Sequence, residues 1–280
     1  MQTLQEVMDL IAPRQVGDFW FTGCSPLPQR RIFGGQVVAQ CLMAAQSTVD
    51  ETMTAHSMHA YFLRAGNAEL PIEFEVDPIR DGRSFCTRRV VARQGREAIF
   101  NTSVSFQIEE SGYAHTVEMP PAATPDKSND LDQRNLAFAT QPGQPTLMEL
   151  YGIERIRLTP MLLEKQVPES MTWMRGLGEL SSNPKLHQAA LAMMSDYALL
   201  GAALMAHEIE EPEKNIIAAS LDHSIWFHNQ PTVDDFVLYD CESPWTGGAR
   251  GFARGRFWSQ SGVLLASTAQ ECLIRPKSRD

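Results

Sequence analysis

The longest run of apolar positions, residues 184–207 (PKLHQAALAMMSDYALLGAALMAH), is hydrophobic nearly all round at helical spacing. That pattern predicts one long helix buried inside the protein. Asn183 offers a side-chain acceptor to the first free N–H groups, and Pro184 suits the first helical position, where its missing donor had no partner anyway. Between Leu186 and Ala206 the charge-capable side chains are His187 and Asp196 alone. An ionised carboxylate in such a setting is costly unless other groups hydrogen-bond it, so Asp196 needs partners. The run approaches the roughly 20 residues of a membrane span. Its seven alanines, one glycine, Ser195 and Asp196 suit a helix closely wrapped by a sheet better than one in lipid.

A second helical pattern follows Gly34-Gly35, over 36–49, with Val37, Val38, Cys41, Leu42 and Ala45 in phase and no acid before Asp50. Residues 1–17 read as a short amphipathic helix, and 19–36, rich in Gly and Pro, as a loop. Alternating or aromatic stretches predict strands over 56–64, 72–79, 84–93 and 98–108, with turns at Asp81-Gly82 and Gln94-Gly95. After the long helix come strands over 216–228, 235–243, 249–258 and 263–274, with turns at 246–248 and Ser261-Gly262. Residues 109–144 are rich in Pro, Ser, Asn and Asp and read as a linker, with a short helix near 131–138. Residues 145–171 show no clear period, and 172–180 suits a strand and its exit.

The two sets of elements repeat. His56-Ser57 and His223-Ser224 lie 167 apart, Gly82 and Gly248 166, Gly95 and Gly262 167, and AIFNTSVS and VLLASTAQ 165. Four landmarks in one register indicate two copies of a helix plus an antiparallel meander, each sheet wrapping one helix. The expected division is 1–108, a linker over 109–150, and 151–280. In the repeat register Gln270 falls opposite Ser105, and the second helix carries Asp196 where the first has no acid.

The 280 residues are 43% hydrophobic, ordinary for a chain with a proper core, and the net charge of −10 argues against nonspecific binding to nucleic acid. Five scattered cysteines without CxxC spacing fit a reducing compartment, and neither end reads as a targeting signal, so a cytoplasmic location is expected. In the last strand Leu264, Ala266, Thr268, Gln270, Cys272 and Ile274 share a face. Glu271 on the other face prefers water, which turns Gln270 inward in the same half as Asp196. There is no GxSxG elbow. Neither His56 nor His223 can serve the serine next to it, because successive strand side chains point to opposite faces. His56, His59, His223 and His228 lack metal-ligand spacing and read as packing or hydrogen-bonding residues. Arg80, Arg83, Arg88, Arg89, Arg93, Arg250, Arg254 and Arg256 are candidates for a local basic patch.

The words FGGQVVAQ (33–40), HSMHAYFLRAG (56–66), RDGRSFCTRRV (80–90), SLDHSIWFH (220–228) and ARGFARGRFWSQSGVLLASTAQE (249–271) resemble the acyl-CoA thioesterase II (TesB-like) family. The resemblance runs over almost the whole chain and is weakest in the linker and over 151–180. It implies an α+β double hot-dog fold and hydrolysis of acyl-CoA thioesters without metal or organic cofactor, in a homo-oligomer. It also implies a hydrolytic trio, which maps onto Asp196, Ser220 and Gln270. Ser220 stands where the family has threonine; on periodicity alone it is a routine strand serine. The acyl chain is expected beside the long helix, near Met194, Leu199 and Leu200. Two other functions fit the fold: a double hot-dog enoyl-CoA hydratase, whose GDxNPxH-like motif this chain lacks, and a non-catalytic acyl-CoA binder, which would need no buried acid.

Overall fold

The computed structural model describes residues 2–25, 27, 31–131, 145–160, 165–209 and 215–277. The chain opens with α1 (Leu4–Ile11), started by a reciprocal capping box between Thr3 and Glu6 and buried through Leu4, Val7, Met8 and Ile11. A hairpin of β1 (Arg14–Gly17) and β2 (Trp20–Gly23) comes next, within the stretch expected to be loop. Strands of four residues are too short for alternation to show, and β2 exists because it extends the sheet along a neighbour, Phe21 facing Phe74. Then come α2 (Gly34–Gln46), β3 (Thr54–Phe62), β4 (Ile72–Asp81), β5 (Phe85–Gln94) and β6 (Glu97–Gln107), close to their expected positions. The short helix expected near 131–138 falls, beyond residue 131, outside the described residues. The stretch without a clear period folds as α3 (Leu147–Leu150), β7 (Ile153–Arg157) and β8 (Glu169–Gly176). The second half continues with α4 (Pro184–Ser195), α5 (Leu199–Leu204), β9 (Ile216–Ser220), β10 (Asp222–Phe227), β11 (Val237–Gly247), β12 (Arg250–Ser259) and β13 (Leu264–Pro276).

Among the described residues these strands form one antiparallel sheet of thirteen, in the order β1-β2-β4-β5-β6-β3-β10-β13-β12-β11-β8-β7, with β9 beside β13. The repeat explains the order. β3 and β10 carry the same sequence word and pair with each other at the centre, His59 opposite Ser224 and Ser57 opposite Trp226. Each half then unrolls outward from that seam in the same sequence of hairpins. Gly95, Gly248, Ala249 and Gly262 adopt positive φ in the turns, which match the right-handed twist of the hairpins they close. On the covered face α2 lies on β3 to β6, α5 lies on β8 and β11 to β13, and α2 packs directly against α4. Both α2 and α4 are buried on nearly every side, among Phe74, Phe100, Phe106, Tyr239 and Phe257.

Three expectations are corrected. The run 184–207 is not one helix: α4 stops at Ser195, Asp196 is its C-cap with φ −81° and ψ 2°, and α5 restarts at Leu199. Asp196 therefore sits at a helix end rather than mid-helix. The break has a chemical cause without any Gly or Pro to announce it. The Ser195 hydroxyl turns back onto the Ala192 carbonyl, and the Tyr239 hydroxyl takes the Ser195 carbonyl that would have continued the helix.

The second correction concerns 216–228, which divides at Leu221 into β9 and β10. Ser224 pairs with Ala269 and Ser220 with Cys272, so four steps along one strand oppose three along β13. That extra residue is a bulge, and it changes which side chains share a face. The third is the register: Ser57 pairs with Ser105 while Ser224 pairs with Ala269, so Ala269 answers Ser105 and Gln270 answers Phe106. The sequence match at a spacing of 165 is therefore one position out of step with the strand pairing.

Candidate active site

The three residues expected from sequence converge. The Ser220 hydroxyl donates to Asp196 Oδ1 at 2.8 Å, and the Gln270 amide donates to Ser220 Oγ at 3.0 Å. Each arrives by a different route. Asp196 is placed by the end of α4, Gln270 by the inward face of β13, and Ser220 by the last position of β9. Gln270 is 1% exposed, in line with the alternation of its strand. Without the bulge at 220–224, Ser220 and His223 would point to opposite faces. With it, both reach Gln270, because His223 Nδ1 lies 2.7 Å from the amide oxygen.

The carboxylate also meets the first half of the chain. The N-terminus of α2 has Phe33 as its N-cap and no side-chain hydrogen bond on its free N–H groups. Asp196 takes the place of that cap: the Gly35 backbone N–H donates to it. The approach is close. A Cβ on Gly34 would collide with Asp196 Oδ2 and the Phe62 ring, and one on Gly35 with the Met193 carbonyl oxygen and the Phe33 ring. Glycine is required at both positions by contact rather than by backbone angle.

Desolvation dominates the electrostatics of Asp196 and pushes its carboxyl from the ordinary 3.8 up to about 7, against the opposing pull of the Ser220, Gly35 and Gln270 donors and the nearby Arg31 guanidinium. A carboxyl poised near neutrality, with donors fixed around it, is suited to taking and returning a proton at physiological pH. Burial likewise drives the His223 imidazole down to about 4 and the Cys272 thiol up to about 12, so both are neutral at pH 7.

The opposite end of the α2–α4 pair is the equivalent position in the repeat, and it is dismantled. Asn183 caps α4 there through the Lys185 N–H, Ser47 is the C-cap of α2 where α4 has Asp196, and Phe106 fills the place of Gln270. An open cavity at that end is lined by Met43, Gln46, Ser47, Val49, Glu51, Asn183, Lys185 and Leu186, and its amides are engaged elsewhere: Gln46 donates to the Lys185 carbonyl and Asn183 caps α4.

Other expectations resolve differently. Arg89, Arg93, Arg250, Arg254 and Arg256 pair with Asp77, Glu75, Glu271, Glu242 and Asp240, and buried Arg88 pairs with Asp81. Six of the eight candidate arginines thus have carboxylate partners within the sheet. Met194 and Leu199 are sealed in the core at 0% exposure, while Leu200 packs half-buried against the cluster of Ala203, Cys272 and Ile274. Among the described residues no group of three His, Cys, Asp or Glu side chains could hold a metal ion, and no helix is long and apolar enough to cross a membrane. Sequence reasoning missed two contributors. Gly34-Gly35 was visible only as a helix opening, and His223 only as half of a repeated word.

Comparison with known proteins identifies the family and the fold. The family model for acyl-CoA thioesterase matches residues 157–273, which contain Asp196, Ser220 and Gln270, and the model for the acyl-CoA thioesterase N-terminal domain matches 25–107. The chain is 38% identical over 265 residues to human acyl-coenzyme A thioesterase 8, covering 90% of this chain and 82% of that protein. It is 36% identical over 280 residues to acyl-CoA thioesterase 2 of Haemophilus influenzae, covering 97% and 98%. The crystal structure of the acyl-CoA thioesterase II TesB2 from Mycobacterium marinum superimposes with a TM-score of 0.80 at 34% identity, over 98% of this chain and 99% of that one. The architecture is therefore the α+β double hot-dog, and the chain belongs to the acyl-CoA thioesterase family, a family of thioester hydrolases.

Proposed function

We propose that the protein hydrolyses acyl-CoA thioesters by direct attack of a water held by Asp196, Ser220 and Gln270. The observation that carries this reading is the convergence itself. Three side chains from α4, β9 and β13 are joined by hydrogen bonds of 2.8 and 3.0 Å at the N-terminus of a helix from the other half whose own N-cap, Phe33, supplies no acceptor.

The steps follow from the geometry. Asp196, ionised in part at neutral pH, takes a proton from the water as its oxygen bonds to the thioester carbonyl carbon; the carbonyl electron pair moves onto oxygen. N–H groups in the first turn of α2, with the positive end of that helix dipole, lie beside the site and stabilise the oxyanion. Collapse of the tetrahedral intermediate breaks the carbon–sulfur bond, and the coenzyme A thiolate recovers the proton held on Asp196. Ser220 and Gln270 orient the water and carry no charge. Ser220 supplies the donor and acceptor that the family's threonine would, without its methyl. Leu200, half-buried against the cluster that includes Cys272, is the one of the three apolar candidates left partly exposed to touch the acyl chain.

A panel of acyl-CoAs of graded chain length, followed with a thiol reagent, tests the reading. Release of one thiol per substrate is expected. Loss of enoyl absorbance without thiol would identify a hydratase instead, and saturable binding without turnover a carrier.

A further inference from the structure

The hydrogen bonds around Gln270 do not stop at the three residues above. They continue through His223 to Ser195 at the end of α4. Ser195 Oγ lies 2.7 Å from His223 Nε2, and His223 Nδ1 lies 2.7 Å from Gln270 Oε1. Both Ser195 and His223 are buried, at 0% and 1% exposure. Because the array starts and ends on the C-terminus of α4, it is a closed loop of side chains around one helix end.

With the Gln270 amide oxygen turned to His223, Nδ1 carries the hydrogen, because an amide oxygen only accepts, and Nε2 accepts from the Ser195 hydroxyl, whose one hydrogen is shared between Nε2 and the Ala192 carbonyl. Gln270 Nε2 then points its two hydrogens at Ser220 Oγ, 3.0 Å away, and Cys272 Sγ, 3.2 Å away. Ser220 accepts from the amide and has its own proton left for Asp196. In this sense every donor runs towards the carboxylate, which favours the ionised form. Turning the amide over reverses the sense: its oxygen would take the Ser220 proton, and Ser220 would face Asp196 as an acceptor. That arrangement suits only the protonated acid.

We propose that His223 is a positioning residue for hydrolysis: its neutral imidazole locks the Gln270 amide in the orientation that directs the Ser220 hydroxyl at Asp196. The inference rests on the proposed role of Asp196 as general base. His223 does not reach the substrate site itself; it acts through Gln270. It is faced by Ser195 from α4, Gln270 from β13 and Ala60 from β3, none of them charged. Asp196 is faced by Ser220, Gln270, the α2 N-terminus, Tyr239, Cys272 and Arg31. Burial raises the Tyr239 and Cys272 groups out of the neutral range, so a pH profile near 7 reports the carboxylate.

Three variants of the full chain separate orientation from packing. Asn at 223 places an amide N–H near the Nδ1 position and can still donate to Gln270; Gln places its amide near Nε2 and meets Ser195 instead; Leu does neither. His223→Leu and His223→Gln are expected to lower kcat roughly tenfold or more with little change in KM, and to move the kcat/KM midpoint from near 7 to about 8, the cost of one lost donor to a charged group. His223→Asn is expected to recover most of the rate and the original midpoint. Thermal midpoints recorded on the same samples identify any variant whose loss is one of folding. Wild-type kcat and pH midpoint in folded His223→Leu would overturn the proposal, as would losses in the three variants that follow thermal stability and not the donor. If Asp196→Asn is fully active, the base assignment itself fails; if it is inactive while the His223 variants behave as wild type, only the positioning role fails.

Discussion

Asp196→Asn separates what the carboxylate does for catalysis from what it costs the fold. The amide keeps the shape and a neutral version of the hydrogen bonds to Ser220 and the α2 N-terminus, so the structure is retained. In the wild type, burial raises the carboxyl from 3.8 to about 7. The folded state therefore holds its proton over a range where the unfolded chain has already lost it, and stability falls as pH rises between about 4 and 7. Above 7 the penalty is complete. Its ceiling is on the order of 4 kcal/mol, from the roughly three pH units separating the two states. Asp196 is partly open to solvent, and the amide makes weaker bonds than the carboxylate, so a net gain of about 1–3 kcal/mol is expected for the variant at pH 8. For a chain of this size that raises Tm by roughly 2 to 10 °C. Near pH 4, where the wild-type carboxyl is protonated in the folded protein, most of the gain disappears. Thermal unfolding of both proteins at pH 4.5, 6 and 8 measures the difference, and other titrating groups cancel because the chains are otherwise identical. Over the same samples kcat/KM is expected to fall by about 10²- to 10⁴-fold at pH 8, a gap that narrows towards pH 4.5 as the wild-type carboxyl takes up its proton. Equal stability at pH 8, or a gap that does not change with pH, would refute the view that Asp196 is an ionised group held in the site at the fold's expense.

Three further outcomes follow from other contacts. Gly35→Ala drives a methyl into the Met193 carbonyl and the Phe33 ring and is expected to cost about 1–3 kcal/mol or more and to spread the α2–α4 contact, whereas Gly201→Ala, in α5 with open space around it, is expected to stabilise by up to about 1 kcal/mol; urea denaturation compares them. Ser220→Ala removes a donor to a charged group and is expected to reduce kcat about 10- to 100-fold, while Ser220→Thr keeps the hydroxyl and is expected to stay within roughly fivefold of wild type in a thiol-release assay. Arg88→Met is expected to destabilise by about 2–4 kcal/mol with kcat unchanged, because the buried guanidinium holds Asp81, the Thr48 hydroxyl and carbonyl, and the Arg80 carbonyl far from the site.

Much of this was legible in the chain because the repeat doubles every signal. The hairpin glycines, the His-Ser words and the inward face of 264–274 predicted most of the strands, and the anomaly of a lone acid in an apolar run singled out Asp196. What failed has a common physical origin, which is one-residue irregularity. A helix end at Ser195 is made by hydroxyl groups of Ser195 and Tyr239, the latter 44 residues away in sequence, and no local pattern announces it. The bulges at 55–57 and 220–224 each shift alternation by one position. The bulge at 220–224 is why strict alternation grouped Ser220 with Asp222 and Ser224; separately, the repeat match, one position out of step with the strand pairing, set Gln270 against Ser105. Ser220 was placed in the site by resemblance; its reach to Asp196 depends on the bulge.

The near-symmetry of the two halves offers two equivalent places for chemistry, one at each end of the α2–α4 pair, and a handful of side chains makes only one of them competent. A helix N-terminus stabilises negative charge when its N–H groups are free, and a helix C-cap can present an acid to it. At one end both conditions hold: Phe33 supplies no cap to α2, and α4 ends on Asp196, which accepts the Gly35 N–H. At the other end Asn183 consumes the α4 donor and Ser47 ends α2 without a charge. The sheet follows the same division, with inward Gln270 on one side and Phe106 on the other. An acid at both ends would bury two raised-pKa carboxyls in one core, each opposing folding above neutral pH. The apolar substitution at 106 and the cap at 183 remove that second cost, and the stability so retained supports the strained electrostatics of the single site.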